Sequence, residues 1–102
     1  MDQSQRRLTL QTQLQTLAPN VYFQPPASVK MQYPAIVYHH DDEDTQFADN
    51  KPYRTNVRYM ITIIDPDPDS SIRDKVSALP MCTFNRFYTA DNLNHYVYNL
   101  YF

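Results

Sequence analysis

Not one of the 102 residues of this chain is glycine. Average usage is about 7 %, and the absence bears directly on what the backbone can do. Glycine is the residue that takes positive φ without steric cost and lets a backbone come close to a ligand. A Walker-type phosphate loop, a dinucleotide fingerprint and a G-x-S-x-G nucleophile elbow each depend on it, so these three devices are excluded. Sharp turns must instead be built from Asn, Asp and Pro, whose side chains bond nearby backbone or fix φ. "APN", "ADN", "DPDPDS" and "TADNLN" are the stretches where such turns are expected.

One domain is expected, because a chain of this length buries about two-thirds of its unfolded surface and cannot support two cores. Hydrophobic residues make up 42 % and aromatics 14 %, with nine Tyr and five Phe, too apolar a composition for a disordered chain. That much amphipathic aromatic surface exceeds what a thin core can hide, and Tyr is enriched where proteins meet. The composition therefore predicts an assembling subunit. A formal net charge of -2 provides no general attraction to nucleic acid or to an anionic membrane. Cys82 stands alone, which rules out an internal disulfide, fits a reducing compartment and reads as a small buried hydrophobe. With no apolar run near 18 residues and no signal-peptide pattern at the N-terminus, cytosolic synthesis and no membrane partner are expected.

Leu10, Leu14 and Leu17 recur at i, i+4 and i+7 with Gln, Thr and Arg opposite, predicting an amphipathic helix over 3–17 that Pro19 ends. "NVYFQ" reads as a short strand. Three prolines bar "PPASVKMQYP" from a central strand, leaving "SVKMQ" able to pair only at an edge. "AIVYHH" is strand again. In "YRTNVRYMITIID", Tyr53, Thr55, Val57, Tyr59, Ile61 and Ile63 alternate with the other residues, the period of a long strand that becomes buried on both faces at its end. Ile72, Val76 and Leu79 predict a second short helix, capped by Asp69 or Ser70 and stopped by Pro80. "MCTFNRFYTA" and "LNHYVYNLYF", joined by "DN", form a closing hairpin whose second strand ties the C-terminus into the sheet. The fold expected over 1–102 is a single α+β domain: one mostly antiparallel sheet flanked by an N-terminal helix and a second short helix.

"YHHDDEDTQFADNKPY", positions 38–53, holds His39 and His40 beside Asp41, Asp42, Glu43 and Asp44. Neighbours on a strand point to opposite faces, so the two histidines cannot share an ion unless the chain turns between them. The alternating ligands and central glycine of a calcium loop are missing. A solvated acidic hairpin loop is expected, with no metal and no cofactor. "ITIIDPDPDS" offers the other candidate: a strand ending in D-x-D is the start of a metal-dependent phosphohydrolase with Asp65 as nucleophile and Asp67 as acid or base. The competing reading is a proline-stiffened turn with a helix cap, favoured because so little chain is left for further phosphate and metal ligands. Arg54 and Arg58 fall on the polar face of the long strand, where they suit pairing with a neighbouring subunit better than nucleic acid. His95 reads as a structural histidine among tyrosines. No catalytic set is expected.

Positions 21–102 resemble the small tail terminator proteins of long-tailed bacteriophages, also called tail completion or minor tail proteins. The strings that carry the resemblance are "VYFQPP", "YPAIVY", "FADNKPY", "ITIIDPDPDS", "LP-x-C-x-F-x-R" and "TADNLNHYVYNLYF". The resemblance implies a virion structural protein, assembled in the bacterial cytoplasm, whose hexameric ring caps the tail tube, ends its polymerisation and meets a head-completion (stopper) protein on its other face. Genomic DNA would pass through the ring without specific binding, discouraged by carboxylates facing its phosphates. On this view the 38–53 stretch is a mobile loop ordered on assembly. Asp41, Asp42, Glu43, Asp44, Phe47 and Asn50 face the channel or tube, and Tyr53, Arg54, Arg58, Tyr96 and Tyr98 are candidates for the subunit interface. A head-completion or connector protein of the neck is the related alternative.

Overall fold

The computed structural model describes the backbone of residues 3–102 and all their side chains except those of 3, 4, 46 and 52–55. Helix α1 (Gln3–Gln15) has no acid in its first turn and no base in its last, so nothing complements its dipole. Packing holds it instead: Leu10 and Leu14 are completely buried, and Ala18 follows them into the core. Just past Pro19, Asn20 fixes the exit of the chain, its Nδ2 donating to the Pro34 carbonyl and its own carbonyl accepting the Ile36 N–H.

Strand β1 (Val21–Phe23) pairs parallel with β2 (Ala35–Ala48), and the remaining strands, β3 (Lys51–Asp65), β4 (Cys82–Ala90) and β5 (Leu93–Tyr101), are antiparallel to their neighbours in the order β1-β2-β3-β5-β4. The expected α+β architecture with one mostly antiparallel sheet and two helices is what forms. "SVKMQ" is not a strand: residues 24–34 cross over irregularly, with a cis Tyr33–Pro34 peptide. β1 occupies that edge, and its Tyr22 hydroxyl accepts the Gln32 N–H.

Both two-residue hairpin turns use the same tripeptide. Asp49 and Asn50 have φ of 52° and 60°, and Asp91 and Asn92 have 53° and 61°. Positive φ at both central residues defines a type I′ turn, whose twist matches the strands it joins. In the absence of glycine, Asn and Asp are the residues that tolerate this region best.

Helix α2 (Ser71–Ser77) and α1 cover the same face of the sheet. The core there is formed by Leu10, Leu14, Tyr38, Tyr59, Ile61, Ile63, Val76, Tyr98 and Leu100, among others. The alternation read from the long strand is realised, since Val57, Tyr59, Ile61 and Ile63 all enter this core while Arg58, Met60 and Thr62 point away. Ser70 is the N-cap of α2, as its position predicted, but its side chain makes no capping bond, and its buried Oγ has no partner among the described residues.

Candidate functional site: an acidic ribbon and an aromatic flank

β2 and β3 are far longer than the sheet that supports them. β1 leaves β2 after Phe23 pairs with Tyr38, and Gln24 extends the support only to the His40 N–H, through its side-chain oxygen. β5 pairs with β3 from Asp65 back to Arg58, and the Phe102 N–H adds one last bond to the Val57 carbonyl. From Asp42 to Ala48, paired with Arg58 to Lys51, the two strands therefore form a ribbon projecting about 23 Å at ~3.3 Å per residue. It accounts for the molecule's 51 × 25 × 23 Å proportions.

The acidic stretch is thus strand and not loop, a correction to the expectation for 38–53: the turn is only Asp49 and Asn50. Aspartates are poor strand formers on their own, but β3 supplies a partner along the whole stretch, with one further register shift between Gln46 and Phe47, and the I′ turn closes the ribbon. The register shifts between His40 and Asp42, leaving Asp41 as a bulged residue at the base of the ribbon. The bulge aims the Asp41 carboxylate at Arg58, whose Nε lies 2.7 Å from its Oδ2, while an Arg58 terminal nitrogen lies 3.6 Å from Asp42. Asp41 holds the Arg58 guanidinium even more firmly in its charged form than usual. Arg58, expected at the subunit interface, is engaged within its own chain by Asp41 and Asp42. Asp42 also accepts the Glu43 N–H at 2.8 Å, and Glu43 lies 3.7 Å from His40. Asp44 is exposed. Along residues 41–58, Asp41, Asp42, Glu43, Asp44 and Asp49 outnumber Lys51, Arg54 and Arg58, so the ribbon carries net negative charge.

Phe47 is 67 % exposed next to the turn, a large apolar ring at the end of a charged arm, and Asn50 occupies the turn itself. The side chains of Tyr53 and Arg54, two of the predicted interface residues, lie outside the described residues. Tyr96 and Tyr98 are corrected from surface to core: they are 6 % and 2 % exposed, the Tyr96 hydroxyl donating to the Pro68 carbonyl at 2.7 Å and the Tyr98 hydroxyl accepting from Arg73 Nε at 3.0 Å.

The apolar surface that the sequence reading missed lies in front of those tyrosines. β4 is an edge strand exposed along its whole length beyond Cys82. A bulge at Asn85 puts Phe84 and Phe87, three residues apart, on the same face. Their rings sit 5.5 Å from Tyr98 and 4.9 Å from Tyr96, yet they remain 52 % and 48 % exposed. The Arg73 guanidinium stands 4.9 Å from the Tyr96 ring and 5.8 Å from Phe84. Together Arg73, Phe84, Phe87 and Tyr96 line an open cavity of about 240 Å³. A spacing of three places two residues of a regular strand on opposite faces, so the sequence held no signal for a shared face, which only the register shift at Asn85 creates. On the other face of β4, Arg86 lies over Tyr88 at 5.4 Å, and Tyr88 stacks on His95 at 4.6 Å.

The remaining candidates resolve into local structure. His39 pairs with Met60 and His40 with Tyr59 on opposite faces of the sheet, and no group of three or more His, Cys, Asp or Glu able to hold a metal forms among the described residues. Asp65 is buried and its Oδ1 accepts the Asp67 N–H at 2.8 Å, while Asp67 does the same for Asp69 at 2.9 Å. The "DPDPD" run is two successive Asx turns across prolines. Cys82 is partly buried against the core, and burial raises its thiol pKa, the opposite of what an activated nucleophile needs. No helix is long and apolar enough to cross a membrane among the described residues.

A scan of family models and searches of curated proteins and of solved structures match nothing to this chain.

Proposed function

We propose that this protein is a ring-forming structural subunit of a bacteriophage tail, of the tail-terminator kind: its hexameric ring docks on the last ring of the tail tube, ends polymerisation and presents the opposite face to a head-completion protein. The observation that carries the reading is the β2–β3 ribbon, an arm of two strands that leaves the sheet with no helix or third strand beside it. An isolated two-stranded ribbon is marginally stable in water, and one tipped by an exposed Phe47 is suited to being completed by neighbours. The exposed aromatics of β4 supply a second surface of the same character. The mechanism is geometric. A rotating, heterologous contact closes into a ring, and a ring seated on the tube end occupies the surface where the next tube ring would stack.

Those carboxylates of the ribbon that the subunit contacts leave unpaired fit this role as an electrostatic lining. Beside a channel they would repel phosphates and so oppose the backbone contacts that hold DNA non-specifically. The deciding experiment measures mass in solution across concentration, with and without tube protein, together with tube length in an assembly assay. Association at the tube end and shorter, uniform tubes are expected; a chain that stayed monomeric in both conditions and left tube length unaltered would overturn the proposal.

A further inference from the structure

We infer that the aromatic flank of β4 is the receptor for the ribbon of a second copy of this chain, with Phe47 of one copy entering the cleft between Phe84 and Phe87 of the next. The inference rests on the assembling-subunit reading and names the contact that reading leaves open.

Three observations select this occupant. First, the chemistries match. The flank offers a cleft of about 240 Å³ with three aromatic rings and the Arg73 guanidinium, and the ribbon offers, among its described side chains, the exposed Phe47 ring on the same strand as Asp42, Glu43 and Asp44. Charge matches on both faces of the strands. Arg73 lies on the helix-covered side of β4 and Arg86, whose partner is Val97, on the other. Glu43, opposite Val57, and Asp42 and Asp44, opposite Arg58 and Asn56, divide between the same two sides of the ribbon. Neither Arg73 nor Arg86 pairs with a carboxylate among the described residues. Asp69 and Asp74 border the neighbouring cavity, which Arg73 also lines, and Asp74 offsets part of the Arg73 charge without an ion-pair contact.

Second, the contact cannot form within one chain. The ribbon continues β3 past Arg58, opposite Tyr101, whereas Phe84 and Phe87 sit level with Ile61 and Ile63 through Tyr98 and Tyr96. The arm therefore points away from its own receptor, from which β5 also separates it. Third, the two surfaces are different: one is the end of the β2–β3 ribbon and the other the β4 edge of the sheet. A contact between them is heterologous, the kind that propagates around a ring. Its anchor is an aromatic ring in a pocket edged by Arg, the composition typical of residues that dominate binding energy.

The test uses the full chain in a Cys82→Ser background. One preparation carries Ala48→Cys and the other Asn85→Cys, exposed positions beside the two anchors that leave Phe47, Phe84 and Phe87 in place, and the two are mixed and oxidised. A 48–85 cross-link several-fold in excess of 48–48 and 85–85 products is expected. In the otherwise unmodified chain, Phe87→Ser should weaken self-association about tenfold or more, while Leu8→Ser, at an exposed apolar position on α1, should leave it unchanged. If the chain associates but the symmetric products dominate, or if Phe87→Ser associates like the parent, this inference fails and the ring-forming reading survives. If the chain is monomeric at every concentration and on tube ends, both fall.

Discussion

The two type I′ turns permit an experiment in which the same change, at the same tripeptide and the same dihedrals, should have two different outcomes. Asn50 and Asn92 have φ of 60° and 61°. Replacing either by Ala puts a Cβ residue without a helpful side-chain amide into the left-handed region, at a cost of about 1 kcal/mol. At Asn92 the strain falls on the β4–β5 hairpin, whose second strand carries Tyr96, Val97, Tyr98 and Leu100 into the core. That hairpin cannot open without opening the core. Asn92→Ala should therefore lower the melting temperature by roughly 4–8 °C, the usual response of a domain this size to 1 kcal/mol. At Asn50 the strain falls on a ribbon that shares only Val57 with the core. Local opening relieves it without touching global stability. Asn50→Ala should leave the melting temperature nearly unchanged while hydrogen exchange of the ribbon amides rises about fivefold, the factor that 1 kcal/mol represents. Thermal unfolding by circular dichroism and residue-resolved exchange measure the two effects. Equal losses of melting temperature in both variants would refute the reasoning, because they would show that the ribbon folds as one cooperative unit with the sheet.

Further outcomes follow from the packing. Leu14→Ala, at a fully buried site, should cost about 2–5 kcal/mol in urea unfolding, and a loss under about 1 kcal/mol would mean that α1 is not docked. Met81 has φ of 62° and is 68 % exposed, so Met81→Gly removes strain and little packing; stability should rise by about 1 kcal/mol, and any fall counts against that account. Burial raises the phenol pKa of Tyr38 and of Tyr59 above the usual 10.0. Groups shifted in this direction contribute fully below about pH 10 and lose their contribution as pH rises through the folded-state value, since the unfolded chain ionises first. Tyr59→Phe, which keeps the ring and removes the titrating hydroxyl, should move the midpoint of alkaline unfolding upward, and an unmoved midpoint would show that Tyr59 does not drive the transition.

The parts of this fold legible in the sequence are those governed by local period. Helix α1 from its leucines, the inward set of β3 from alternation, α2 from Ile72 and Val76, and the closing hairpin from "DN" all depend on residues within a few positions of one another. Three features depended on distant partners. Asp42, Glu43 and Asp44 have weak strand preference of their own and become strand because β3 runs opposite them. Tyr96 and Tyr98 resemble interface residues in composition but are covered by α2, and their hydroxyls find Pro68 and Arg73 about 25–28 residues away in sequence. Phe84 and Phe87 lie on one face only because β4 bulges at Asn85, a register shift that pairing with β5 imposes.

These three features concern the same surface and not three separate misreadings. Placing Tyr96 and Tyr98 inward removes them as contacts but brings Phe84 and Phe87 forward as the rings that stand over them. Straightening the acidic stretch into strands removes a floppy loop but replaces it with an arm of defined length and direction. A loop would lose conformational entropy on assembly, at about 1–2 kcal/mol per residue ordered; a ribbon already closed by an I′ turn and based on the Asp41–Arg58 pair has met most of that cost in folding. A short arm of this kind can contribute to a ring contact only if it is largely organised beforehand. The Asp41 bulge is then the part on which arm geometry depends, since it aims a carboxylate at Arg58 where the arm leaves the sheet. Asp41→Asn weakens that pair without changing its shape, so it should raise ribbon exchange and reduce self-association together while leaving the melting temperature nearly fixed. Reduced association with unchanged ribbon exchange would mean that Asp41 acts at the interface directly and not through the arm.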